Sequence, residues 1–132
     1  MLTSEDLEFL RRPLHGFLTV AGGPVRPVWF EATDDGAVQL FTPRESPKVR
    51  RLANDSRAAI LVAAPVGERE RWVSVSGRVT VEPDGAHELA ARLGGRYWDL
   101  EDADHADALA GIQTLDLVRL VIRPEKVSRY SM

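Results

Sequence analysis

The chain has no cysteine, and of its seventeen basic residues only Lys48 and Lys126 are lysine. Without cysteine there are no disulfides, no thiolate metal sites and no cysteine nucleophile. Histidine is scarce too: His15, His87 and His105 lie too far apart for a helical metal pair, and each reads as a surface or packing residue. No apolar run reaches the roughly 18 residues of a membrane helix. The opening residues Thr3, Ser4, Glu5 and Asp6 do not form the basic and apolar regions of a secretion signal. The expectation is a cytoplasmic protein free of the membrane. A net charge of -3 lacks the basic excess of a nucleic-acid binder. There is no Gly-x-Ser-x-Gly elbow, P-loop or Gly-x-Gly-x-x-Gly turn, so hydrolase and dinucleotide-fold mechanisms have no support.

What is present fits one domain over residues 1–132: 44% hydrophobic and 28% charged residues are ordinary globular values. Thr3 to Arg12 reads as a short capped helix stopped by Pro13. Gly16 to Val20 and Val25 to Ala32 flank the turn Ala21-Gly22-Gly23-Pro24. With Ala37 to Thr42 beyond Asp34-Asp35-Gly36, they predict a three-stranded antiparallel meander. Ser46 before Pro47 predicts a helix to about Asn54, followed by a strand over Arg57 to Ala64. Arg71 to Val81 alternates, with Val73, Val75, Gly77, Val79 and Val81 on one face, and Gly77 marks a bulge or bend. Asp84-Gly85 opens a helix that Gly94-Gly95 should stop. The stretch Asp99 to Ile112 reads as helical over its latter half, and its acidic cluster Asp99, Glu101, Asp102, Asp104 and Asp107, which lacks the glycine and terminal glutamate of a calcium loop, as a solvated loop or lid. Leu117 to Arg123 and Lys126 to Tyr130 read as closing strands around Pro124. Six or seven antiparallel strands with few helices predict a mainly β barrel.

The stretch from Phe41 to Arg51 carries the chemistry. A helix N-terminus leaves about four N–H groups unpaired and carries about half a positive charge, a natural phosphate site. Lys48 in the first turn opposes that dipole, at a cost of about 0.3–1 kcal/mol unless an anion binds there. Thr42, Arg44, Ser46, Lys48 and Arg51 offer hydroxyl and cationic donors to one anion. A solvated basic face on an ordinary capped helix has the same pattern.

The order Arg26-Pro27-Val28-Trp29-Phe30, then Phe41-Thr42, then Ser46-x-Lys48 and Lys48-Val49-Arg50-Arg51-Leu52 resembles the pyridoxamine 5′-phosphate oxidase-like split-barrel family. Within it the chain is most similar to the small deazaflavin- and flavin-dependent reductases. Trp72-Val73-Ser74-Val75-Ser76-Gly77 and Ile122-Arg123-Pro124-Glu125-Lys126-Val127 match later landmarks, so the resemblance spans nearly the whole chain. It implies a split β-barrel working as a homodimer with cofactor sites at the subunit interface. It further implies an oxidoreductase that takes coenzyme F-420, a deazaflavin, or alternatively FMN, and passes hydride to a small conjugated or electron-poor acceptor. Pro27, Val28 and Trp29 would run along the ring, with backbone groups of Val28 and Trp29 at its polar edge. Thr42, Arg44, Ser46 and Lys48 would hold the phosphate with help from Arg51, and Trp72 or Arg71 would reach the ring from the partner chain. Core or dimer packing accounts equally for Trp29 and Trp72. Binding of a flavin, deazaflavin or tetrapyrrole without turnover, and a module with a vestigial site, are the rival readings. The first hairpin is shorter than in many relatives, and the C-terminal substrate segment of pyridoxamine oxidase proper is not seen, so vitamin B6 oxidation is not the expected activity.

Overall fold

In the computed structural model, which describes residues 1–132, seven antiparallel strands form a single sheet in the order β2-β1-β5-β6-β7-β4-β3. The strands are β1 (Gly16–Val20), β2 (Arg26–Val28), β3 (Glu31–Ala32), β4 (Val38–Pro43), β5 (Arg57–Ala63), β6 (Arg71–Glu82) and β7 (Leu117–Ser131). Helix α1 (Ser4–Leu10) precedes them, α2 (Pro47–Asn54) follows β4, and α3 (Ala86–Tyr97) and α4 (Ala103–Gln113) lie between β6 and β7. No helix is long and apolar enough to cross a membrane.

The expected single strand from Val25 to Ala32 is two strands on opposite edges of the sheet. β2 pairs with β1, whereas β3 pairs with β4, which pairs in turn with β7. The meander is therefore replaced by two separate hairpins joined through Trp29 and Phe30. This link dictates the curl of the sheet. Six inter-strand gaps would put the edges of a flat sheet about 29 Å apart, yet the path from Val28 to Glu31 spans at most about 11 Å. The sheet must bend until its edges meet, and Phe30, fully buried at the crossing, fills the core with Leu40, Ile60, Val62, Val73 and Leu120.

The long pair β6 and β7 forms the spine. Its register shifts between Ser76 and Gly77, opposite Pro124. A Cβ at Gly77 would lie 2.0 Å from the Arg123 carbonyl oxygen, so the bulge requires glycine there. Pro124 sits at the same irregularity, where its missing N–H costs no ladder bond. The two closing strands expected around it are consequently one strand of 15 residues. The inward alternation of β6 ends at Val79, and Val81 is exposed.

Gly94-Gly95 does not stop α3. Gly94 is buried against Leu109 of α4, to which its missing side chain allows close approach, so tertiary packing outweighs weak helix propensity. At the start of the chain, Thr3 and Asp6 form a capping box on α1. Asp6 also accepts hydrogen bonds from Arg129 at 3.1 and 2.8 Å, tying the first helix to the last strand.

The outer face of β1, β5, β6 and β7 is nearly free of charge where Phe17 pairs with Leu61, Leu61 with Ser74, Ala63 with Trp72, and Trp72 with Tyr130. Phe17, Leu61 and Tyr130 are among the exposed large hydrophobic residues.

Candidate functional site

Two cavities adjoin at the β2 edge and share Pro27 as a wall. The first, about 330 Å³, lies between the β1–β2 hairpin and the start of α2, and Arg26, Lys48 and Arg51 all line it. Helical spacing places Lys48 and Arg51 on one side of α2, and the hairpin brings Arg26 to meet them. None of the three forms an ion pair, although eight other ion pairs occur across the chain. Burial, and secondarily the Arg26 charge, pushes the Lys48 ammonium below the usual lysine range. Gly23 keeps the hairpin close to Arg51: a Cβ there would meet Arg51 Nε at 3.0 Å.

Ser46 is the N-cap of α2, but its hydroxyl caps no helix N–H. Instead it accepts a hydrogen bond from the Thr42 hydroxyl at 3.0 Å, which leaves the Ser46 proton available for another acceptor. Thr42 is itself 2% exposed, so its part is to orient Ser46. Arg44 stands apart from this group. Pairing of Pro43 with Leu117 brings the end of β4 beside the start of β7, and there Arg44 Nε meets Asp116 Oδ2 at 2.9 Å while its N–H bonds the Asp116 carbonyl. Arg44 lines neither cavity. Trp72 lies on the outer face, stacked on Tyr130 with centroids 6.3 Å apart, and likewise lines neither cavity of its own chain.

The second cavity, about 340 Å³, is lined by His15, Pro27, Val28, Trp29, Phe41, Trp98 and Ile112. Tyr97 covers one face of Trp29 at 5.2 Å and 7°, Trp98 meets Trp29 edge-on at 4.6 Å and 89°, and His105 stacks on Trp98. The Tyr97 hydroxyl donates to the Leu14 carbonyl at 2.6 Å and accepts from the Phe30 N–H, which anchors the array to the barrel seam. Burial raises the Tyr97 phenol above its ordinary range, against opposing contributions from the Phe30 N–H and Arg96. Because β2 is an edge strand, the backbone groups on its unpaired side are open to a ligand.

Pro27, Val28, Trp29, Lys48 and Arg51 are thus brought to one region. His15, Trp98 and Ile112 come as additions. The sequence reads His15 as a surface or packing residue and Ile112 as the end of a helical stretch, and the one available signal is the aromatic pair Tyr97-Trp98 after two glycines. Asp102 caps α4 by accepting from the N–H groups of Asp104 and His105. No group of three or more His, Asp or Glu side chains is arranged to hold a metal.

A family model for pyridoxamine 5′-phosphate oxidase matches residues 2–129. No curated protein sequence matches the chain. Among solved structures, a conserved hypothetical protein from Mycobacterium tuberculosis superposes with a TM-score of 0.75 at 23% identity, over 99% of this chain and 85% of that one. An F420 reductase gives a TM-score of 0.70 at 28% identity, over 97% of this chain and 98% of that one. A FAD-binding protein from Mesorhizobium loti gives 0.63 at 21% identity, over 97% and 94% of the two chains.

Proposed function

The chain belongs to the pyridoxamine 5′-phosphate oxidase family, and we propose that it works as an oxidoreductase whose cofactor is coenzyme F-420. The observation that carries this reading is the cavity walled by Arg26 of β2 and by Lys48 and Arg51 of α2, three cations without a carboxylate partner, with Lys48 in the first turn of that helix. Such a group is stable only if water or a bound anion compensates it, and a phosphate does so with charge-assisted hydrogen bonds. Similarity to an F420 reductase at 28% identity over nearly both whole chains favours the deazaflavin over other phosphate-bearing cofactors.

In this reading Lys48, Arg51 and Arg26 bind the phosphate, and the Ser46 hydroxyl, oriented by Thr42, donates to it. The open edge of β2 and the ring of Trp29 orient the flat part of the cofactor, and the neighbouring aromatic walls exclude water. When bound and reduced, the cofactor supplies a hydride to the acceptor, while the remaining proton comes from solvent. The chain's own contribution is position and dryness, so no side chain is assigned as acid or base.

The same cavity suits FMN, because the group recognised is the phosphate. We further propose that two copies pair through the part of the outer face around Phe17, Leu61 and Tyr130, with Trp72 of one copy directed toward the site of the other. Titration with F-420 and with FMN, followed by fluorescence, tests the reading. Saturable binding of F-420 with weaker FMN binding supports it, preference for FMN moves the assignment to the flavin, and failure of both to bind sinks it. Catalytic reduction of an enone by a substoichiometric amount of the loaded protein separates turnover from sequestration.

A further inference from the structure

We infer that Tyr97 is a positioning residue: it stands as a wedge in place of the next rung of the β1–β2 ladder and so holds apart His15 and Trp29, two walls of the aromatic cavity. The geometry of the wedge is independent of what binds there, whereas its effect on cofactor affinity rests on the reading above.

The β1–β2 ladder pairs Leu18 with Arg26, Phe17 with Pro27 and Gly16 with Val28. Continued outward, the same register sets His15 opposite Trp29 and Leu14 opposite Phe30. The ladder stops short of both pairs, and the side chain of Tyr97 occupies the gap. Its hydroxyl donates to the Leu14 carbonyl at 2.6 Å and accepts from the Phe30 N–H at 3.5 Å, the carbonyl and the N–H that a direct rung would join. Its ring lies flat on Trp29, with centroids 5.2 Å apart, and meets His15 at 6.1 Å and 40°. The phenol thus satisfies both backbone groups while keeping the two segments too far apart to bond each other. Burial raises the phenol, so it remains a donor through the neutral range. The arrangement extends to a third wall, because Trp98 follows Tyr97 directly in the chain. Tyr97 lines neither cavity, so its influence on a ligand passes through these neighbours.

The test is fluorine NMR of the ligand-free protein labelled with fluorotryptophan, together with titration of F-420 and FMN. The three resonances come from Trp29, Trp72 and Trp98 and are assigned by replacing each tryptophan with phenylalanine. Tyr97→Phe keeps the ring and removes the hydroxyl. It should shift the Trp29 resonance, leave that of Trp72 on the outer face in place, and weaken the cofactor about three- to tenfold, the usual share of one hydrogen bond. Tyr97→Ala removes the whole wedge and should weaken the cofactor further; because Tyr97→Phe deletes a single oxygen, it carries the test if Tyr97→Ala proves unstable. Asp6→Asn is the control. It weakens the bonds from Arg129 of β7, away from the gap, so it should lower stability yet leave the Trp29 resonance in place and cofactor affinity within about twofold. An unmoved Trp29 resonance in Tyr97→Phe overturns the wedge. An equal loss of affinity in Asp6→Asn, or unchanged affinity in both Tyr97 variants, overturns its effect on the cofactor. Failure of the wild-type protein to bind either cofactor sinks the cofactor reading alone, and the fluorine spectra then decide the wedge by themselves.

Discussion

Lys48 and Arg26 reach one cavity from different elements, α2 and β2, with no carboxylate between them. The fold therefore carries an electrostatic burden that a bound anion would relieve, and the two effects can be measured apart.

Lys48→Met should raise the stability of the ligand-free protein by about 0.3–1 kcal/mol, because it removes a cation from the positive end of α2. The same substitution should weaken F-420 or FMN by about 1.5–3 kcal/mol, the usual contribution of a charged hydrogen bond. The sign with pH follows from the lowered Lys48 ammonium. Its penalty on folding is present at neutral pH and is relieved as pH rises through its depressed folded value toward 10.5, while anion binding weakens over the same range. Thermal melts with and without cofactor read both effects, and a destabilised ligand-free variant would contradict the prediction.

Neighbouring glycines in α3 should respond in opposite directions to alanine. Gly95 is exposed and a Cβ there would meet only Leu100, at 3.9 Å, so Gly95→Ala should stabilise by about 0.5–1 kcal/mol. A Cβ at Gly94 would lie 2.6 Å from Leu109, so Gly94→Ala should destabilise by about 1–3 kcal/mol as α4 is pushed away. Urea melts of the two variants give the comparison directly.

Asp6 is 2% exposed. Burial alone would raise its carboxyl, but hydrogen bonds from Arg129 and Thr3 outweigh burial and hold it below 3.8. A carboxyl lowered on folding stabilises fully above its unfolded value, and that contribution disappears as pH falls through the folded value. Asp6→Asn should therefore cost about 1–3 kcal/mol near neutral pH, with a deficit that shrinks below about pH 4. Equal deficits at neutral and acid pH would show that the charge of Asp6 is immaterial.

Leu61 is 41% exposed on the outer face, beside Phe17 and Ser74. If that face joins two copies, Leu61→Arg should halve the mass seen by light scattering, while changing the stability of the single chain by no more than about 0.5 kcal/mol. An unchanged mass would place any dimer contact elsewhere.

The parts of the site legible in the sequence are those built by short-range rules. Ser46-Pro47 marks a helix start, and the spacing of Lys48 and Arg51 puts them together whatever the rest of the chain does. Gly77 likewise announced an irregular strand. Arg44 belongs to the same local run, yet its direction is decided by Asp116, which only the pairing of β4 with β7 brings close. The aromatic pocket was hidden for the same reason, since Trp29 and Trp98 become neighbours only when α3 folds across the barrel seam. The split between β2 and β3 leaves no local mark, because Val25 to Ala32 has the composition of one strand and the break is imposed by closure.

The position of β7 has a consequence for the order in which the molecule is made. β1, β2, β5 and β6 can pair among themselves, and β3 can pair with β4, but the two groups share no ladder until β7 enters between β6 and β4. The strand made after the other six is thus the one that unites the sheet. Because the join depends on contacts distant in sequence, closure should be the slow step of folding. The cavities at the seam are then the last part of the protein to acquire their shape, and a nascent chain ending before Leu117 would present no finished pocket to a ligand.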